Sequence, residues 1–193
     1  MELGVGARLS DAMRYVSGLH CHASLLAAIA PLALATASPA GALTLSSPAF
    51  ENGEPIPAAH ACTAANDSPP LRWSDVPEGT EAFALVVEDL DAPGGGFVHW
   101  VLYDVGAAAR ELPAGVPPIG RGEGGMKRGS GDFQNPAYGG PCPPAGSPHR
   151  YVFRLYALDA PTGLAPGASR KDLMAAIRSH VLAEASLTGT FAR

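Results

Sequence analysis

The sequence predicts a mainly β domain with one helix in its C-terminal region, and three observations carry that expectation. Glycine and proline number 23 and 19 in 193 residues, about one residue in five, which interrupts long helices and favours short strands joined by turns. Three apolar runs of strand length, 82–89, 98–105 and 150–158, are bounded by turn residues. A single stretch, 169–186, switches to a helical period. With 47% hydrophobic and 7% aromatic residues, the chain can bury a core and does not read as disordered. A formal net charge of −5 gives no basic footprint for nucleic acid. No apolar run reaches the ~18 residues of a helical membrane span.

Residues 1–42 read as a signal peptide. Ser24 to Ala37 is an uncharged, mostly apolar run, and Ala40-Gly41-Ala42 after it is a small-x-small cleavage pattern. The stretch ahead of the run carries Glu2 and Asp11 beside Arg8 and Arg14; a start at Met13 gives a more ordinary leader than one at Met1. A buried apolar helix is the competing reading, and Pro31 and Pro39 oppose it. Cys21 lacks the small residues that precede a lipidated cysteine, so no lipid anchor is expected. The mature domain is then 43–193, in the periplasm or secreted. It keeps Cys62 and Cys142, an even number in an oxidising compartment. They can form a disulfide or stand as two small thiols, and the residues alone leave both open.

Within 43–193, Leu43 to Phe50 alternates weakly and can open the first strand. Pro55 to Pro70 is rich in turn residues; Asn66-Asp67-Ser68 is formally a glycosylation triplet but reads as a turn. Ala82 to Asp89 is a buried strand, 90–96 a tight turn, and Val98 to Val105 a second strand. Gly106 to Gly140 shows little periodicity and reads as long surface loops. Arg150 to Leu158 is the third strand. Leu173, Ile177 and Val181 recur every four residues, and Ser169 with Asp172 forms a capping-box start, so a helix is expected from about Arg170 to Ala185, with His180 on its semi-buried face.

Polar residues gather where these strands end. Asp89 and Asp91 are two apart, so both can face one side. His99 opens the next strand after a tight turn. His149 and Tyr151 share one face of a strand and follow a rigid loop, Gly139-Gly140-Pro141-Cys142-Pro143-Pro144. Histidine rings, a tyrosine hydroxyl and backbone amides donate hydrogen bonds; a carboxylate can orient a histidine. The combination fits a pocket for a small anion such as phosphate, with protonated rings as the better anion partners and Asp91 expected to orient His99 or His149. Each residue alone is more simply explained as a turn cap or a packed side chain. The sequence has no GxSxG elbow, no Walker loop and no Cys/His pair at zinc spacing, so neither metal nor cofactor is expected.

The segments Val87-Glu88-Asp89-Leu90-Asp91-Ala92-Pro93, Val98-His99-Trp100 and 139–153, with Cys62 to Trp73 upstream, resemble the phosphatidylethanolamine-binding protein family and its bacterial Raf kinase inhibitor-like branch. The resemblance covers nearly all of 43–193. It implies two antiparallel sheets with few helices, a helix and last strand within 163–193, and a small cavity for phosphate-like anions. Its ligand-site residues fall on Asp89, Asp91, His99, Gly140, Pro143, Pro144, His149 and Tyr151. Leu90 stands where the family usually has proline, and Thr63-Ala64 where Asp-Gly is common. The implied function is non-enzymatic binding of a small anion or phospholipid head group, or modulation of a partner enzyme. The competing class is a hydrolase or metal-dependent enzyme built on the Asp/His cluster; against it, no nucleophile with an adjacent base is evident. Protein recovered from the periplasm or medium is expected to begin near Leu43 by intact mass, and a full-length chain in the cytosol would contradict the export reading.

Overall fold

The computed structural model of the protein describes residues 42–117, 125–134 and 136–193. The apolar run 24–37 and its cleavage pattern up to Gly41 lie outside them. Eight strands and one α-helix are present among the described residues: β1 (Thr44–Ser46), β2 (Leu71–Ser74), β3 (Ala82–Asp89), β4 (Phe97–Gly106), β5 (Glu111–Leu112), β6 (Lys127–Arg128), β7 (His149–Leu158), α1 (Arg170–Ile177) and β8 (Val181–Phe191). They form two sheets, ordered β1-β2-β5 and β6-β4-β3-β7-β8, with every strand pair antiparallel.

The continuous apolar run of β3 follows from its position. It lies between β4 and β7 and is buried on both faces, so no polar alternation survives. Phe83, Leu85 and Val87 enter a core with Leu45, Trp73, Trp100, Phe153 and Leu187. Ala84 and Val86 enter a second core with Val101, Tyr103, Leu158 and, from α1, Leu173 and Ile177.

The C-terminal region departs from expectation. The capping box is present: Ser169 and Asp172 satisfy each other's backbone amides. However, α1 stops at Ile177, and residues from Val181 are strand, with Leu158 opposite Val181 and Phe191 opposite His149. Val181 is 39% exposed, so it is not the third member of a helical stripe. In β8 it is Ala183, Ala185, Leu187 and Phe191 that contribute to the first core, a period of two that small side chains made faint. His180 lies in the intervening turn, half exposed, with Nδ1 2.7 Å from Asp159 Oδ1.

The stretch 106–140 is also more structured than a set of surface loops. It contains β5 and β6, and Val116, Met126, Arg128 and Tyr138 are buried. Two-residue strands are too short to leave a periodic signal. Gly189 lets two segments pack closely. A Cβ there would collide with the Ile56 side chain, because segment 53–56 crosses β8 and bonds to Thr188 and Thr190.

Cys62 and Cys142 are joined as a disulfide across a sequence separation of 80, with Cα atoms 5.4 Å apart. Closing a loop of that length restricts the unfolded chain, in the entropic account, by about 4–5 kcal/mol. Cys62→Ser with Cys142→Ser is expected to lower stability by about 2–5 kcal/mol in denaturant titration, and an unchanged midpoint would show the bridge to be dispensable.

Candidate functional site

Strand β3 ends at Asp89, which pairs with Phe97 of β4 on one side and Tyr151 of β7 on the other. The carboxylate is buried, 4% exposed. Its Oδ1 accepts the backbone N–H of Asp91 at 2.9 Å, and its Oδ2 lies 2.7 Å from His149 Nδ1. Since a carboxylate oxygen accepts, Nδ1–H of His149 is the donor, which leaves Nε2 as the ring's second nitrogen.

His99 owes its placement to a β-bulge. Val87 pairs with Trp100, but Glu88 pairs with Val98, so His99 is the extra residue on β4. A bulge breaks strict alternation and re-aims a side chain. The ring, 4% exposed, sits edge-on to Tyr151 with centroids 5.2 Å apart. Its Nδ1 lies 2.6 Å from Gly139 O. Burial holds this imidazole below its ordinary pKa, against the opposing pull of the Gly139 carbonyl and Asp89. A neutral His99 at neutral pH replaces the expectation of a cationic ring there.

A cavity of about 320 Å³ opens at this end of the sheet, lined by Asp89, His99 and His149, with Phe97 and Phe133 on one side and Cys142, Pro143 and Pro144 on another; Ala92 and Pro93 complete it. Phe133 is 42% exposed and packs edge-on against both Phe97 and His99. Tyr151 packs against His99, and its hydroxyl is buried beside the Asp89 carboxylate and the Cys142 backbone. Burial, reinforced by Asp89, raises its pKa far above the physiological range, so it remains a donor.

Besides Tyr151, two of the expected site residues stand outside this lining. Asp91 does not orient a histidine. Its Oδ2 accepts from the backbone N–H and Nε of Arg150, and its Oδ1 accepts from Nη2, at 2.7–2.9 Å. The Arg150 side chain and amide together hold the Asp91 carboxyl down to about 2. The orienting position belongs to Asp89. Gly140 shapes the wall from behind: a Cβ there would collide with His60 O, and its N–H donates to Asn66 Oδ1 at 2.8 Å. Asn66, in the left-handed region at φ 59°, is therefore a tether for the proline loop. The sequence marked Asn66 only as a turn residue and Gly139 only as part of the rigid loop, and nothing there marked Phe133. Among the described residues, no cluster of three or more His, Cys, Asp or Glu could hold a metal.

A family model described as phosphatidylethanolamine-binding protein matches residues 46–192. A protein of Aquifex aeolicus named UPF0098 protein is 45% identical over 146 residues, 75% of this chain and 85% of that one. A Mycobacterium tuberculosis relative named as a candidate lipoprotein, LppC, is 42% identical over 150 residues, 77% of this chain and 72% of that one. Among solved structures, E. coli YbcL, described as a member of the mammalian PEBP family, aligns with a TM-score of 0.71 at 32% identity. It covers 79% of this chain and 99% of its own.

The His99 geometry has a pH consequence. A histidine whose folded-state pKa lies below the unfolded value of about 6.5 binds fewer protons folded than unfolded. Stability is therefore lost as pH falls through about 6.5 toward the folded-state value. By NMR titration the His99 midpoint is expected below 6.5; a midpoint at or above it would show that its hydrogen bonds and neighbouring carboxylates outweigh burial.

Proposed function

The chain belongs to the phosphatidylethanolamine-binding protein family, and on that premise we propose that it is a non-enzymatic binding protein of the cell envelope whose pocket holds a small oxyanion or a phospholipid head group. The observation that carries this reading is the convergence of Asp89, His99 and His149 in one cavity lining. Asp89 fixes the His149 ring at 2.7 Å, so Nε2 is free to meet a ligand. The buried Tyr151 hydroxyl interacts with the same Asp89 carboxylate from outside the lining and helps to hold it. The remaining described wall is proline, alanine, phenylalanine and the bridged Cys142, an apolar surround that strengthens each polar contact.

The same lining argues for binding over hydrolysis. Asp89 and His149 form a carboxylate–imidazole pair, but among the described residues no serine, threonine or lysine lines the cavity, and the Cys142 sulfur there is held in the disulfide. Placement in the envelope draws on that disulfide, which persists in oxidising compartments, and on the lipoprotein name of the Mycobacterium tuberculosis relative. Among the described residues no helix is long and apolar enough to cross a membrane.

Calorimetry with inorganic phosphate and with phosphoethanolamine tests the reading. Wild type is expected to bind at least one of them. His149→Ala is expected to weaken that binding by about 1.5–3 kcal/mol, roughly ten- to hundredfold, the worth of a hydrogen bond to a charged partner. Heat signals absent for both compounds would overturn the proposal.

A further inference from the structure

We infer that the pocket selects oxyanions that bring a proton of their own, such as a phosphate group carrying a P–OH, over permanent dianions such as sulfate. The inference rests on the anion-binding reading and narrows its ligand class.

It starts from the tautomer of His99. Gly139 O, 2.6 Å from Nδ1, can only accept, so the ring proton is on Nδ1 and Nε2 presents a lone pair. The groups acting on this ring come from every element around it: Asp89 on β3, the edge of Tyr151 on β7, and Asp132 and the 139–140 carbonyls from the loops. The carboxylates and carbonyls favour a second proton, but burial opposes it more strongly. His99 therefore serves as an acceptor.

Asp89 is the second acceptor. Its carboxylate is buried in the cavity lining, and a carboxylate offers no donor when ionised. The donor on the other side is the His149 ring when doubly protonated, whose charge Asp89 then offsets. Among the described residues, no lysine or arginine lines the cavity. Arg150 is engaged by both carboxylate oxygens of Asp91, and the exposed Arg193 reaches the site only through Cys142 Sγ at 3.8 Å. A dianion would thus meet a carboxylate and a lone pair with no uncompensated cation among the described lining residues. A protonated phosphate group has an O–H for one acceptor and an ionised oxygen for the His149 donor. Discrimination of this kind is steep, because a buried acceptor left facing an acceptor loses its hydrogen bond outright.

The test is a ligand series on the wild-type protein at about pH 7, above the ordinary histidine pKa, where inorganic phosphate still carries a P–OH, read by calorimetry and by the NMR signals of His99 and His149. The probes are inorganic phosphate, sulfate, and dimethyl phosphate, a monoanion without an O–H. Phosphate is expected to bind at least about tenfold more tightly than either of the others. His99→Phe, which keeps a ring but removes the acceptor, is expected to narrow that gap. Sulfate or dimethyl phosphate binding as tightly as phosphate would overturn the inference while leaving the anion pocket standing. Silence from all three, with phosphoethanolamine also unbound, would remove the anion reading and this inference with it.

Discussion

Strand β3 runs between β4 and β7 with apolar side chains on both faces, so its register against each neighbour is set by two cores at once. A slip of one residue would exchange Phe83, Leu85 and Val87 with Ala84 and Val86 between unlike cores. That double constraint makes the far end of β3 a rigid reference point. Asp89 stands at that end, and the antiparallel pairing on both sides places Tyr151 and Phe97 opposite it. Because the strand cannot shift, neither can the carboxylate, and His149 is positioned by a hydrogen bond to a fixed acceptor.

Two local irregularities convert this sheet end into a cavity. The bulge in β4 releases His99 from strict alternation and turns it toward Tyr151. The proline loop then forms a wall, held by the disulfide to Cys62, by Asn66 through Gly140, and by Tyr138 Oη donating to His60 O at 2.9 Å. Gly139 belongs to both devices, since its carbonyl fixes the His99 ring while its missing side chain makes room for Phe133. A site of this construction relies on preorganised groups, which need little rearrangement when a ligand arrives.

The electrostatics follow from burial more than from formal charge. Arg150 and Asp91 neutralise each other outside the cavity and clamp the entry to β7, beside His149. Inside, one carboxylate and two imidazoles share a small apolar-walled space, and desolvation keeps His99 neutral. The described lining thus presents a carboxylate and a neutral ring where a count of histidines suggests a positive pocket.

Much of this arrangement was legible in the sequence. The runs 82–89, 98–105 and 150–158 match β3, β4 and β7 within a residue or two, because strands buried on one or both faces must be apolar throughout or strongly alternating. The capping box marked the start of α1, and the residues grouped as a site include Asp89, His99 and His149, all at strand ends. The length of α1 was not legible: Leu173, Ile177 and Val181 fit a helical repeat, while the period-two pattern of β8 is written in alanines and carries little signal. Nor were the partners of the two aspartates, since both lie at one turn and only the packing of β7 decides that Asp89 meets His149 and Asp91 meets Arg150. Local composition and period encode burial, so the buried segments and the residue types gathered at the sheet end could be read before any fold was known. The His99 bulge, the proton position on its ring and the bond between Cys62 and Cys142 arise only when the chain is folded. The ring's proton and the disulfide each depend on a group 40 to 80 residues away, a separation that no local pattern records.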